Sequence, residues 1–231
     1  MAALGLAWGG LALGYAGPSA DTPGALRRLW MLYLVWPAAF VWLAGVPRTT
    51  WKAGLRLLVA SVVLIGVATV GTAWLLAGTS SPPSFLDLLL LGAAFQGVLL
   101  GAVVFGTAFL GRPGGILAPL CAGAVLTLGP CLLDTYLERP LPPGSGRAAV
   151  ERALALSPPS LLAPTLLGHD LFKEEAFYRS FRAGEELVTT PSREIGMREM
   201  ARIGLFLAVF AILGFLLRSG WKRRRSRVTL N

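Results

Sequence analysis

Phe85–Leu110 reads FLDLLLLGAAFQGVLLGAVVFGTAFL, a stretch of 26 residues with one ionisable group, Asp87, at its mouth. As a helix rising ~1.5 Å per residue it is long enough to cross a hydrocarbon core of ~30 Å. Leu29–Val46, Ala53–Ala77 and Gly115–Leu133 are similar runs, nearly free of charge. Ile203–Leu217 and the shorter Ala2–Ala16 flank them. The expected fold is all-α: a polytopic membrane helix bundle of about six transmembrane helices, with an extramembrane helical insert.

Composition agrees. The 231 residues are 55% apolar and 14% charged, with a mean hydropathy of +0.65, whereas soluble domains carry about 25% charge. Residues 135–200 hold 17 of the 33 Lys, Arg, Asp and Glu, so one hydrophilic excursion interrupts an apolar chain. The expected organisation is bundle helices one to five over 1–134, an amphipathic insert over 135–200, a last membrane helix over 201–219 and a basic tail over 220–231.

The net charge of +9 does not point to nucleic acid. Arg218, Lys222, Arg223, Arg224, Arg225 and Arg227 follow directly on an apolar helix, where basic residues hold a helix end in the cytoplasm and meet anionic headgroups of the lipid bilayer. The loop Arg48–Arg56 carries Arg48, Lys52 and Arg56 without an acid, the turn Gly111–Gly114 carries Arg112, and Thr79–Ser84 carries no charge. Six crossings place the basic loop, the Arg112 turn and the C-terminus in the cytoplasm and the insert outside. Arg27 and Arg28 are the misfit, since this arrangement places them outside. Ala2–Ala16 lacks a charged leader and a good cleavage site, and is expected to be a short first membrane helix.

Local signals mark the joints. Gly17–Leu26 has the residues of a turn, and Gly45-Val46-Pro47 ends the following helix, which contains Pro37. Within the insert, Arg147–Leu156 is expected to be helical and Ser157-Pro158-Pro159-Ser160 to break it. Leu161–Leu167 is apolar but too short to span. Asp170 is a candidate cap for an amphipathic helix through Leu187, and Thr190-Pro191 for a helix running into the last membrane segment.

Two stripes of small residues stand out: Ala93, Gly97 and Gly101, and Gly115, Pro119, Gly123 and Thr127. Lipid tails are as apolar as leucine, so membrane helices associate where small side chains allow close approach. The stripes are expected to make tight helix contacts, within the chain or with a second copy; a substrate path is the alternative. Gln96 is the one strongly polar mid-helix side chain, read as a hydrogen bond to a neighbouring helix or as a substrate contact. Cys121 and Cys131, about 15 Å apart on one helix, cannot form a disulfide.

No cofactor, metal or catalytic residue is expected. His169 is the only histidine and fits a capping or surface role. Asp134, Glu138, Glu174 and Glu175 read as a solvated face. The apolar cores contain no acid or histidine of the kind that relays protons, and no nucleotide-binding lysine motif is present.

The order of these features resembles the permease subunit of an ABC transporter, of the exporter type with six helices. The resemblance rests on helix number and size, on Phe95-Gln96-Gly97 through Phe109-Leu110-Gly111-Arg112 joined at once to Gly115–Leu133, and on Ala155-Leu156-Ser157-Pro158 before a long excursion, a final helix and a basic tail. It implies a bacterial cytoplasmic membrane, a homodimer or a related permease subunit as partner, and a separate ATPase docking near Arg48, Lys52 and Arg56. A non-catalytic assembly subunit of a larger membrane complex is the second reading. A membrane-embedded enzyme using Glu174, Glu175 or His169 is the third.

Overall fold

A computed structural model describes the backbone of residues 22–44, 51–76, 84–137, 145–167 and 192–228, and side chains over 32–43, 52, 54–73, 84–130, 146–164 and 192–216. The described residues form helices only: α1 (Thr22–Ala44), α2 (Trp51–Leu76), α3 (Phe85–Leu110), α4 (Arg112–Leu137), α5 (Ser145–Leu156), α6 (Pro158–Leu167) and α7 (Arg193–Val228). Four of them contain stretches long and apolar enough to cross a membrane: Gly54–Ala73, Phe85–Leu110, Arg112–Pro130 and Arg193–Leu216. In α1, of which side chains are described only over 32–43, that apolar stretch is Leu32–Leu43. Against the six crossings expected, four meet the length among the described residues. Ala2–Ala16 lies outside them, as do Arg48, His169, Glu138, Glu174, Glu175 and the expected helix Asp170–Leu187.

Helix ends follow their local chemistry. Ser84 caps α3, its hydroxyl accepting from the Asp87 backbone N–H at 3.1 Å, with Asp87 placed favourably against the helix dipole. Gly111, at φ 71°, ends α3 with its N–H donated to the Thr107 carbonyl. That left-handed conformation is easy only for glycine, and α4 starts at the next residue. Two boundaries differ from expectation. Thr22–Leu26 is the first turn of α1 rather than a loop, and Pro23 suits a helix start because its missing N–H would have no helical partner there. Helix α7 starts at Arg193, two residues after the expected Pro191, with the Ser192 hydroxyl accepting from the Ile195 N–H at 3.4 Å; Thr190 and Pro191 lie outside the described residues.

Contacts fix the direction of each helix. The one-residue joint makes α3 and α4 antiparallel; Gly106 and Gly114 each leave no room for a β-carbon against the other's carbonyl. In α4, Gly123 and Thr127 meet Pro37 and Tyr33 of α1, so α1 and α4 are also antiparallel. Tyr33 hydrogen-bonds Thr72 of α2, while Leu43 lies with Leu55 and Val59, so α2 opposes α1. Then α7 runs parallel to α3. Arg193 pairs with Asp87 at their starts (3.1 Å), Gly204 packs on Gly97 and Gly101, and Gly214 meets Phe109 near their ends. Helix α3 is central, touching α2, α4 and α7.

The short helices close one end. Helix α5 packs on α4 and α7, and α6 on α1 and α7. The break between them at Ser157 is as expected, but Ser157–Ala163 is buried throughout. Gly196 of α7 makes the fit possible, lying against the Leu161 side chain and the Ala155 carbonyl.

Candidate functional site

The middle of the bundle is an aromatic and polar seam where α1, α2 and α3 meet. Tyr33 and Trp36 stack at 5.4 Å between centroids, and Phe95 stands edge-on to both, at 5.4 and 5.9 Å. These are the orientations that ring quadrupoles favour. Gln96 lies one residue on, fully buried, and its Oε1 accepts from Trp36 Nε1 at 2.8 Å. The indole can only donate, so it fixes which end of the amide faces it. Gln96 Nε2 is left buried with no partner among the described residues. Other hydroxyls in the helices turn to their own backbone: Ser61 to Leu57, Thr69 to Ile65 and Thr107 to Val103.

Proline explains a second polar contact. Pro37 has no N–H to donate to the carbonyl four residues back, which is that of Tyr33. The Thr127 hydroxyl of α4 donates to it instead, at 3.4 Å. One turn earlier on α4, Gly123 leaves space that the Pro37 ring fills. The sequence stripe thus has two functions at one crossing, room for the ring and a donor for the orphaned carbonyl. Gly115 of the same stripe sits against the Thr107 hydroxyl of α3.

The other stripe faces elsewhere. A β-carbon at Gly101 would lie 2.7 Å from the Gly204 carbonyl oxygen, and one at Gly204 would lie 2.9 Å from the backbone of Gly97. Gly97 presents its backbone to α7, while its own β-position points into open space; Ala93 is half-buried. The two stripes therefore do not meet: one packs on α7, the other on α1 and α3. Sequence reading missed Gly204, although Ala208 and Ala211 continue its face at four- and three-residue steps and were a usable signal. It also missed the Pro37 relationship, for which the four-residue offset to Tyr33 was a usable signal.

Charge is divided between the two ends. Helices α1, α3 and α7 end, and α2 and α4 begin, at one end of the bundle. The described segments there contain Lys52, Arg56, Arg112 and the six basic residues from Arg218 to Arg227, and no acid. Lys52, Arg56 and Arg112 are exposed. Helix α7 continues through Lys222, Arg223, Arg224, Arg225 and Arg227 to Val228. Among the described residues Asp87, Glu151, Glu194 and Glu199 all belong to the opposite half. Arg56 is set apart from its neighbours by lining an open apolar groove with Leu43, Leu55, Val59, Ala60 and Val63, of about 310 Å³. Among the described residues there is no cluster of His, Cys, Asp and Glu able to hold a metal ion.

The chain matches no family model, no curated protein and no solved structure.

Proposed function

We propose that this chain is the membrane-spanning permease subunit of an ATP-driven transporter, acting as a dimer or beside a related subunit, with the basic end in the cytosol and a separate ATPase bound there. The division of charge carries the reading. An end whose described residues include nine basic ones and no acid is held in the cytosol by the rule that governs membrane insertion, and it is where a soluble ATPase has access. The energy source lies outside this chain, because its sequence has no nucleotide-binding lysine motif and no acid or histidine within its apolar cores for ion coupling. Apolar residues exposed on α2 and α7, such as Val62, Val70, Leu205 and Ile212, are available to a second subunit or to lipid.

A second reading has its own support. Trp36, Phe40 and Phe95 fill the centre and are fully buried, which suits a scaffold that anchors partners in a larger membrane complex.

Purification of the full chain from native membranes in mild detergent separates the two. The transporter reading expects a co-purifying ATPase whose activity falls when Lys52 and Arg112 are replaced by Glu. Partners without ATPase activity, with those replacements silent, overturn it in favour of the scaffold.

A further inference from the structure

We propose that the groove between the end of α1 and the first half of α2 is a binding site for one anionic phospholipid, with its phosphate on Arg56 and an acyl chain along the apolar wall. Arg56 lies two residues inside the apolar stretch Gly54–Ala73, about 3 Å along the helix axis. A guanidinium at that depth needs an anion or must bend its stem toward the headgroups. Among the described residues no carboxylate lies against it. Arg56 has no ion-pair partner among the described residues, and the ionisable side chains of the described segments at that end are all basic. A lipid phosphate is the anion always present at this depth.

The rest of the groove suits part of one acyl chain. Leu43, Leu55, Val59 and Val63 form apolar walls, buried Ala60 forms the floor, and the volume is about 310 Å³. Lys52, one turn earlier on α2 and exposed, adds positive charge on the headgroup side. Basic groups next to apolar clefts between membrane helices select anionic headgroups in this way. Charge complementarity favours this occupant over a second copy of the chain, whose corresponding surface carries the same sign.

Native mass spectrometry of the full-length purified chain tests the site without any ATPase. The chain is exchanged into micelles containing equal amounts of phosphatidylglycerol and phosphatidylcholine with identical acyl chains. The wild type is expected to retain one phosphatidylglycerol in preference. Arg56→Gln should lower that retention about five-fold, the factor equivalent to ~1 kcal/mol for one basic group near the bilayer surface. Arg56→Lys should keep most of it. Val59→Trp, which fills the groove without changing charge, should displace lipid of both kinds. Arg112→Gln, at the same end but outside the groove, should leave retention unchanged. Equal retention of the two lipids, an Arg56→Gln protein that behaves as wild type, or an equal loss in Arg112→Gln overturns the proposal.

Discussion

Two glycines on one stripe should respond oppositely to the same substitution. Replacing Gly101 by Ala places a methyl group 2.7 Å from the Gly204 carbonyl oxygen and 3.1 Å from the Leu207 β-carbon. The oxygen is backbone in a helix and cannot turn aside. Restoring ordinary contact near 3.4 Å requires α7 to withdraw by about 0.7 Å, and a gap of that size forfeits a quarter to a half of the dispersion attraction at each affected contact. Overpacking of this kind costs ~1–3 kcal/mol, offset in part by the ~1 kcal/mol by which Ala outperforms Gly as a helix former. The expected net loss is ~0.5–2 kcal/mol. Gly97→Ala meets nothing within 4 Å, so only the propensity gain remains and the protein should be unchanged or up to ~1 kcal/mol more stable. Reversible unfolding in mixed micelles of a mild detergent and dodecyl sulfate, followed by tryptophan fluorescence, measures both. Equal destabilisation by the two substitutions, or a Gly101→Ala protein as stable as wild type, would refute the packing of α7 on α3 described above.

Other substitutions probe the remaining contacts. Thr127→Val removes the donor that compensates for Pro37, and should cost ~0.6 kcal/mol with an upper bound of ~1.7, typical of hydrogen bonds between membrane helices; Thr127→Ser should restore most of it in the same titration. Trp36→Phe and Gln96→Leu, alone and together, form a cycle whose coupling energy should fall in that range, and a coupling of zero would mean the two side chains do not bond. Asp87→Asn should cost less than ~1 kcal/mol, because both partners of its pair with Arg193 are about a third exposed; the loss should shrink further in high salt.

The sequence made the helices legible where apolar runs met strong punctuation. Gly111-Arg112-Pro113 marked the α3–α4 joint, and Ser157-Pro158-Pro159 marked the break between α5 and α6. Partners were not legible, and the reason is physical. Lipid and protein interiors are equally apolar, so hydropathy does not distinguish a buried face from a lipid-facing one. The spans in α3 and α7 have similar hydropathy, 2.3 and 2.0, yet are 56% and 17% buried. The pairing of α3 with α7 joins residues more than a hundred positions apart, and nothing in either apolar stretch names the other as its partner. Likewise the small-residue period grouped Gly97 with Gly101, although the direction of each β-position separates them. The burial of Ser157–Ala163 escaped a reading based on length, because a helix too short to span can still be enclosed by packing across the end of a bundle.

Sidedness offers the most direct test of the whole arrangement. With Cys121 and Cys131 replaced by Ala, single cysteines at Lys52, Arg112, Ala148 and Ser192 are exposed to a membrane-impermeant maleimide in intact cells and again after lysis. Positions 148 and 192 should label in intact cells, and positions 52 and 112 only after lysis. Labelling of 112 from outside, or of 148 and 192 on opposite sides of the membrane, would contradict a bundle whose basic end faces the cytosol.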